Sequence, residues 1–278
     1  MSARRIWNDA FLLVFGLIVS LPFLYPFWWM LTNSLNTAAQ IFGAPSLFPK
    51  SWRWINYHDV FTYQPFARHY LNSLLVSGIG TAGNILFGAL AGYGFARMKF
   101  RGRNTLFVIL LTALMMPVEV TIIALFQMAK VVGLTDNLAP LILLAIFGGQ
   151  GAFTTFLMRQ YFLSLPRELE EAAKIDGLGH FATFFKISMP LAAPAIGSAA
   201  ILSFLSSWNA FLEPLVFINN IKKFTLPLSL ANFTDTYGLP QWHLQLAATS
   251  LAVVPILIVY VIFQKKIADA MVFSGLKG

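Results

Sequence analysis

Long apolar stretches alternate with short charged ones along the chain. Six intervals contain no Asp, Glu, Lys or Arg: 10–49, 69–96, 104–118, 137–158, 187–212 and 236–264. A helix that crosses a bilayer needs about 20 mostly apolar residues, and five of the intervals reach that length. The third interval is shorter, but it continues past a single acid, Glu119, to Lys130. The pattern predicts six membrane helices, at about 10–31, 71–95, 105–127, 138–160, 189–213 and 243–264.

The composition agrees with a membrane protein. Of the 278 residues, 58% are apolar and 11% are charged, whereas soluble domains contain about 45–50% apolar and about 25% charged residues. Too few polar side chains exist to cover a water-facing surface, which excludes an ordinary soluble enzyme and a disordered chain. The absence of cysteine excludes disulfide bonds. The first apolar stretch is longer than the apolar region of a secretion signal, so we expect it to be retained as a helix.

The basic residues predict the orientation of the chain. Thirteen Lys and Arg residues lie on the side of the two termini and six lie on the other side. Because Lys and Arg accumulate on the cytoplasmic face of membrane proteins, both termini are expected to be cytoplasmic. The net charge of +8 therefore reflects membrane topology, and we expect no nucleic-acid partner.

Three parts of the chain are expected. Residues 1–70 comprise a cytoplasmic N-terminus, the first membrane helix and an outer segment. Residues 71–264 form the transmembrane core, which includes a cytoplasmic loop at 163–188. Residues 265–278 form a cytoplasmic tail. Within the transmembrane core, residues 214–242 form a second outer segment.

One cytoplasmic segment, residues 164–190, is too ordered in pattern for a linker. Pro166 followed by Glu168 is typical of the start of a helix, and Glu170 and Lys174 have the spacing of an i,i+4 ion pair. Gly177 is a natural helix stop, since glycine enters the left-handed region without a Cβ penalty. A second short helix is expected at about 179–187, before Pro190 opens the fifth membrane helix. The pattern predicts a helix–turn–helix elbow. Docking to a partner and a plain connector both remain open at this point.

The same segment resembles the EAA loop of ABC importer permeases. Glu171, Ala172 and Ala173 are followed at the family's spacings by Gly177, Ile187 and Pro190. Met189 replaces the usual Leu, a substitution that nearly conserves volume. Other matching features are Tyr93-Gly94-Phe95-Ala96-Arg97, Phe100-Arg101-Gly102-Arg103, Ile175-Asp176-Gly177, Trp208-Asn209 and the terminal Ser274-Gly275-Leu276-Lys277-Gly278. The chain is most similar to the second permease subunit of carbohydrate importers of the maltose and glycerol-phosphate type. We refer to residues 164–190 as the EAA segment.

The resemblance implies an all-α type I ABC importer permease fold in the bacterial cytoplasmic membrane. It implies four kinds of partner: a second permease subunit, two ATP-binding subunits, an extracytoplasmic solute-binding protein, and a carbohydrate or polyol-like solute. ATP and Mg would be bound by the ATPase subunits, because this chain has no GxxxxGK[ST] phosphate loop. No cofactor, metal or catalytic residue is expected in the chain, so it should not be an enzyme.

The resemblance also assigns residues to roles. The ATPase-docking residues would be Glu170, Glu171, Ala172, Ala173, Asp176, Gly177, Phe181, Ile187 and Pro190. By the same resemblance, with looser residue patterns, residues 270–278 would reach the ATPase interface and the segment 214–242 would contact the binding protein.

Three residues are candidates for the translocation pathway. Glu119 follows Pro117 in the third predicted helix, where an ionised acid is costly. The alternative, which the uncertain helix boundary favours, is a solvated carboxylate near a helix end that the proline displaces. Trp208 and Asn209, expected midway along the fifth helix, could stack on and hydrogen-bond a sugar, or could simply pack and bridge helices.

Two other classes of protein make different demands on the sequence. An ion-gradient-driven secondary transporter of a small polar solute would need intramembrane acids or histidines in a relay, and Glu119 is the one candidate. A membrane-embedded enzyme would need a convergent set of catalytic groups, and the sequence shows none.

Overall fold

The computed structural model describes residues 3–275, with side chains described for 12–262 and 264. These residues are mostly helical and contain no β-strand, only an isolated bridge between Thr234 and Pro240. The expected all-α class is therefore confirmed. The chain divides into two compact units, residues 1–66 with 230–254 and residues 67–229 with 255–278.

The first unit contains α1 (Ala3–Ser34), α2 (Ala38–Ile41), α3 (Ile55–Tyr63) and the beginning of α15 (Trp242–Gly275). The last carbonyls of a helix lack intrahelical partners, and at the end of α1 they receive side-chain donors. Asn56 Nδ2 donates to the carbonyl oxygens of Ser34 and Asn36 at 2.8 and 2.9 Å. The outer segment thus packs over the end of α1 through a buried amide.

The second unit contains the rest of α15 and all the remaining helices. They are α4 (Phe66–Arg97), α5 (Arg103–Met115), α6 (Val118–Val131), α7 (Ala139–Phe147), α8 (Gly149–Ser164), α9 (Glu168–Ile175), α10 (His180–Thr183), α11 (Met189–Leu191), α12 (Ala193–Trp208), α13 (Leu212–Phe217) and α14 (Leu226–Leu230). A π-helical turn, Phe184–Ser188, joins α10 to α11, and a 3₁₀ turn covers Ile221–Lys223. Helix α8 packs against α5, α7 and α12.

Four helical stretches are long and apolar enough to cross a membrane: Leu12–Ser34, Phe66–Arg97, Ala139–Ser164 and Trp242–Ile262. Two further spans result if each sharply bent helix pair counts as one, namely α5 with α6 and the His180–Leu191 run with α12. The described chain therefore has four to six candidate spans. The exact number and the orientation of the termini remain predictions.

The third predicted helix, 105–127, is not continuous. Helices α5 and α6 meet at 104°, with Pro117 preceding α6. Proline has no N–H to donate, and its ring clashes with the carbonyl four residues earlier, so the helix breaks there.

The fifth predicted helix, 189–213, is shorter than expected. Its straight part is α12, and an 80° bend separates it from the preceding helical run. Pro190 therefore lies before the bend and does not open α12, whose first turn contains Pro194 instead. Trp208 is the last residue of α12 and Asn209 is its C-cap, so the expectation that they lie midway along a helix is wrong. The chain leaves the helix at this point, and α13 begins at Leu212.

Small residues allow α4 to approach its neighbours closely. A Cβ added at Gly88 would lie 2.6 Å from Thr154 Cγ2, and one at Gly92 would lie 2.8 Å from the backbone nitrogen of Arg159. The same contact carries a buried polar link, in which Thr154 Oγ1 donates to Asn84 Oδ1 at 2.5 Å and Asn84 Nδ2 donates to the Ala145 carbonyl at 2.9 Å. Gly88 and Gly92 thus serve close helix packing, because small residues let two helix backbones approach each other.

Candidate functional site

The EAA segment forms the predicted elbow. Helix α9 carries Glu168, Glu170 and Glu171 in its first turn, where acidic side chains interact favourably with the positive end of the helix dipole. At the other end, Gly177 has φ +78°. Its N–H bonds to the Lys174 carbonyl at 3.0 Å, and the Leu178 N–H bonds to the Ala173 carbonyl at 2.9 Å. This pair of hydrogen bonds is the Schellman motif, and the left-handed turn predicted at Gly177 is confirmed.

An ion pair attaches α9 to the end of α4. Arg97 Nε lies 3.1 Å from Glu170 Oε1, and the two side chains are only 7% and 18% exposed. Arg97 Nη2 also donates to the carbonyl of Leu165 at 2.7 Å, the C-cap residue of α8. The predicted Glu170–Lys174 pair does not occur; Glu170 pairs with Arg97 instead. A single arginine therefore holds both the entrance and the first turn of the elbow.

The second half of the elbow is held by aromatic packing. Phe184 is 1% exposed, and its ring centroid lies 5.2 Å from that of Tyr93 and 6.2 Å from that of Phe162. Such pairs add about 0.5–1.5 kcal/mol each beyond the burial of area. The elbow is consequently fixed to both α4 and α8.

The predicted docking residues divide into two groups. Ala173 is buried and Glu170 and Ile187 are half-buried, so these side chains support the elbow from inside. The other residues, Glu171, Ala172, Asp176, Gly177, Phe181 and Pro190, are exposed. Ile175 is 87% exposed and Phe181 is 74% exposed. Ile175 was not among the predicted docking residues, although its helical spacing from Glu171 and Ala172 could have identified it.

A cavity of about 670 Å³ lies within the second unit, and we refer to it as the polar cavity. Its walls come from α4, α5, α6, α7, the α7–α8 break, α12, α13 and Thr225. Most lining side chains are apolar, and the polar ones are Thr121, Gln150, Ser203, Ser206, Ser207, Glu213 and Thr225. None of these polar residues was among the predicted site residues. The spacing of Ser203, Ser206 and Ser207, which places them on one face of a helix, was the available signal.

The three pathway candidates do not line the polar cavity. Glu119 is exposed in the first turn of α6, beside the lining residue Val118. Trp208 is 3% exposed and stacks on Phe204, with ring centroids 5.4 Å apart. Asn209 is exposed, and its Nδ2 donates to the Leu205 carbonyl at 2.9 Å. A role of these residues in translocation stays a prediction.

A polar cluster lies in the loop between α6 and α7. Asp136 Oδ1 accepts hydrogen bonds from the backbone N–H groups of Asn220 and Asn219 at 2.9 and 3.1 Å, and Oδ2 lies 3.0 Å from Lys223 Nζ. These donors hold the pKa of Asp136 below its usual value, the Asn220 N–H most strongly. The cluster ties the beginning of the segment 214–242 to the α6–α7 loop.

The described residues contain no group of three or more His, Cys, Asp or Glu side chains suited to a metal ion. The architecture is that of a multi-pass helical membrane protein with an ordered elbow between candidate spans. The chain belongs to the family described as "Binding-protein-dependent transport system inner membrane component", which matches residues 84–272.

Similar proteins are transport permeases. The chain is 32% identical over 271 residues to the arabinooligosaccharides transport system permease protein AraQ of Bacillus subtilis, covering 96% of this chain and 95% of that protein. It is 33% identical over 266 residues to the diacetylchitobiose uptake system permease protein NgcG of Streptomyces coelicolor, covering 95% and 86%. These relatives support, at the level of the family, an ABC permease function and a role other than that of an enzyme.

The fold is shared with a solved transporter. A chain in the crystal structure of a bacterial ABC transporter involved in the import of the acidic polysaccharide alginate matches with a TM-score of 0.80. The match covers 95% of this chain and 98% of that chain, at 23% sequence identity. This likeness is evidence for the fold alone.

Proposed function

We propose that this protein is the permease subunit of an ATP-driven importer for a sugar or a related polar solute. With a second permease it forms the pathway through the bacterial cytoplasmic membrane, and a solute-binding protein delivers the solute. Two separate subunits bind and hydrolyse ATP with Mg. Family membership and the names of the similar permeases support this proposal.

The observation that carries the coupling role is the exposed face of a firmly held elbow. Glu171, Ala172 and Ile175 share one face of α9 and are exposed, while Arg97 and Phe184 attach the elbow to α4 and α8. A docking element must present free side chains outward and must transmit force to the spans. The small Ala172 permits close approach of a partner, Ile175 offers an apolar contact, and Glu171 offers charge-assisted hydrogen bonds to a basic ATPase residue.

In this mechanism the closure of the ATPase subunits moves α9 as a lever. The ion pair and the aromatic cluster pass the movement to α4 and α8, which is the kind of hinge transition that alternating access requires. The chain itself performs no covalent chemistry.

The test is affinity purification of the chain from a mild detergent, with identification of every companion protein. We expect a second permease and an ATPase to copurify with the wild type. Glu171→Lys should lower the affinity for the ATPase about 30-fold or more, because an interfacial charge pair is reversed, while membrane insertion stays normal.

Asp59→Lys is the matched control, since it reverses an exposed charge on α3, outside the EAA segment, and it should leave ATPase binding unchanged. Solute uptake that needs an ion gradient and no ATPase would overturn the importer proposal. ATPase binding unaffected by Glu171→Lys would remove the docking role.

A further inference from the structure

A second pocket, of about 540 Å³, lies where α4 gives way to α5, and we refer to it as the basic pocket. Lys99 lines it from the connection between the two helices, and Arg103 lines it from the first turn of α5. Arg167 lines it from the segment between α8 and α9. The fold thus brings together cations from two distant parts of the chain. The other lining residues are Phe100, Gly102, Asn104 and Thr105.

The positive charge of the basic pocket is not compensated. No Asp or Glu lines it, and no ion pair in the described part of the chain includes Lys99, Arg103 or Arg167. Neutral groups hold the Arg103 guanidinium, whose Nη1 donates to the Met98 carbonyl at 3.3 Å and whose Nε donates to Asn104 Oδ1 at 3.4 Å.

This arrangement favours an anion that carries phosphate oxygens. Like charges around one pocket repel each other, and a bound anion relieves that repulsion. Guanidinium and ammonium groups bind phosphate through charge-assisted hydrogen bonds. The preference of basic residues for the cytoplasmic side explains why many of them lie there, but it does not explain why three of them converge on one pocket.

Exposed apolar surface adjoins the basic pocket and indicates where the phosphate comes from. Phe100, which lines the pocket, is 44% exposed, and the next turns of α5 expose Leu106 at 50% and Ile109 at 58%. Leu106 and Ile109 are three residues apart and therefore share a face of the helix. Because α5 is half of a candidate membrane span, a lipid could place its headgroup on the cations and an acyl chain along this face. A free phosphate ion would use the cations alone.

We propose that the basic pocket binds the headgroup of an anionic phospholipid, from the leaflet on the side predicted to be cytoplasmic. Lys99, Arg103 and Arg167 contact the phosphate, and an acyl chain lies along Leu106 and Ile109. Basic pockets on this side of membrane helices suit anionic headgroups. The site goes beyond the proposed transport function, since it depends on neither the imported solute nor ATP. The bound lipid joins the start of α5 to Arg167, the N-cap residue of α9, and so steadies the base of the elbow.

The test is native mass spectrometry of the purified full chain, with whatever subunits copurify, titrated with lipids in a neutral detergent. Phosphatidylglycerol is the anionic probe, phosphatidylcholine with the same acyl chains is the probe without net charge, and inorganic phosphate is the competitor. We expect phosphatidylglycerol to bind about 10-fold or more tightly than phosphatidylcholine. Excess inorganic phosphate should leave its binding nearly unchanged. Lys99→Gln, Arg103→Gln and Arg167→Gln should each lower the affinity for phosphatidylglycerol about 3- to 10-fold, the contribution of one cation near an anionic headgroup.

Arg101→Gln is the matched control. It removes the same charge from the same basic stretch, at an exposed residue that does not line the pocket. It should leave the affinity for phosphatidylglycerol within about twofold of the wild type, because salt screens exposed charges that do not contact the ligand. Thermal unfolding without added lipid verifies the folding of each variant. Lys99→Gln and Arg167→Gln should melt as the wild type does, since neither residue takes part in an ion pair of the described chain.

The lipid assignment is overturned if the two lipids bind equally, if Arg101→Gln weakens binding as much as the pocket variants do, or if all three pocket variants bind as the wild type does. Displacement of phosphatidylglycerol by inorganic phosphate would show a site for a free anion. Lipid binding that is lost when an ATPase is attached would show a protein contact. Either result would also overturn the lipid assignment. The importer proposal is tested separately, by copurification and by the dependence of uptake on ATP.

Discussion

Arg97 Nε lies 3.1 Å from Glu170 Oε1, and this ion pair joins the last residue of α4 to the first turn of α9. The two residues are far apart in the sequence, and both side chains are largely buried. Because Arg97 also binds the Leu165 carbonyl, loss of either charge should loosen the elbow at its entrance.

Glu170→Ala and Arg97→Ala should therefore each destabilise the protein by about 2 kcal/mol. This cost lies between those of breaking an exposed ion pair and a fully buried one. The double variant should lose less stability than the two single variants together, because neither charge is then left without its partner. Thermal unfolding of all three variants measures this coupling. Lys174→Ala is the control, since Lys174 does not pair with Glu170, and a strong effect of Lys174→Ala would contradict the observed pairing.

The turn at Gly177 gives a prediction about backbone conformation alone. Gly177 has φ +78°, and a Cβ added there would have no atom within 4 Å. Gly177→Val should therefore cost about 1–2 kcal/mol through the left-handed conformation, and the ratio of solute imported to ATP hydrolysed should fall. Gly177→Asn should retain most coupling, because asparagine tolerates this conformation. Equal damage from both variants would show that side-chain volume, not backbone conformation, governs the turn.

The contact between α4 and α8 predicts opposite effects for two neighbouring glycines. Gly92→Ala would place its Cβ 2.8 Å from the Arg159 nitrogen and from Met158 Cβ, so the helices must separate, at a cost of about 1–3 kcal/mol. Gly94→Ala meets only Met98 Sδ, at 4.0 Å, and should be neutral or stabilising, because alanine favours helices over glycine. Melting temperatures of the two purified variants test this, and similar values would contradict the close approach.

Local chemistry made much of this structure predictable from the sequence. The charge-free intervals identified the apolar helices because a bilayer tolerates few charges, and the turn at Gly177 followed from the conformational freedom of glycine. The interruption between α7 and α8 could not be placed from the pattern alone. There the carbonyl of Ala145 is satisfied by Asn84 from another helix, which hydropathy does not reveal.

Contacts between residues far apart in the sequence were the other feature that the sequence did not predict. Glu170 has a suitable local partner in Lys174, yet it pairs with Arg97, because folding brings the end of α4 beside α9. The sequence did not predict the polar cavity for the same reason. Its serines lie on α12, whereas Gln150 and Thr225 come from distant parts of the chain. Such constellations depend on tertiary packing, while the exposed face of α9 could be derived from helical spacing.

The Asp136 cluster predicts a pH dependence of stability. The N–H groups of Asn220 and Asn219 and the ammonium group of Lys223 lower the pKa of Asp136 in the folded state. A carboxyl group whose folded pKa is lowered stabilises the protein above its unfolded pKa, near 3.9, and this contribution is lost as the pH falls through the folded pKa. The melting temperature of Asp136→Asn should therefore lie below that of the wild type at neutral pH, and the difference should shrink in acid below the ordinary range of aspartate. Lys223→Met should lower the melting temperature by less, with the same dependence on pH, because the backbone donors to Asp136 remain. A difference between wild type and Asp136→Asn that is constant from neutral to strongly acidic pH would mean that the carboxylate charge does not hold these segments together.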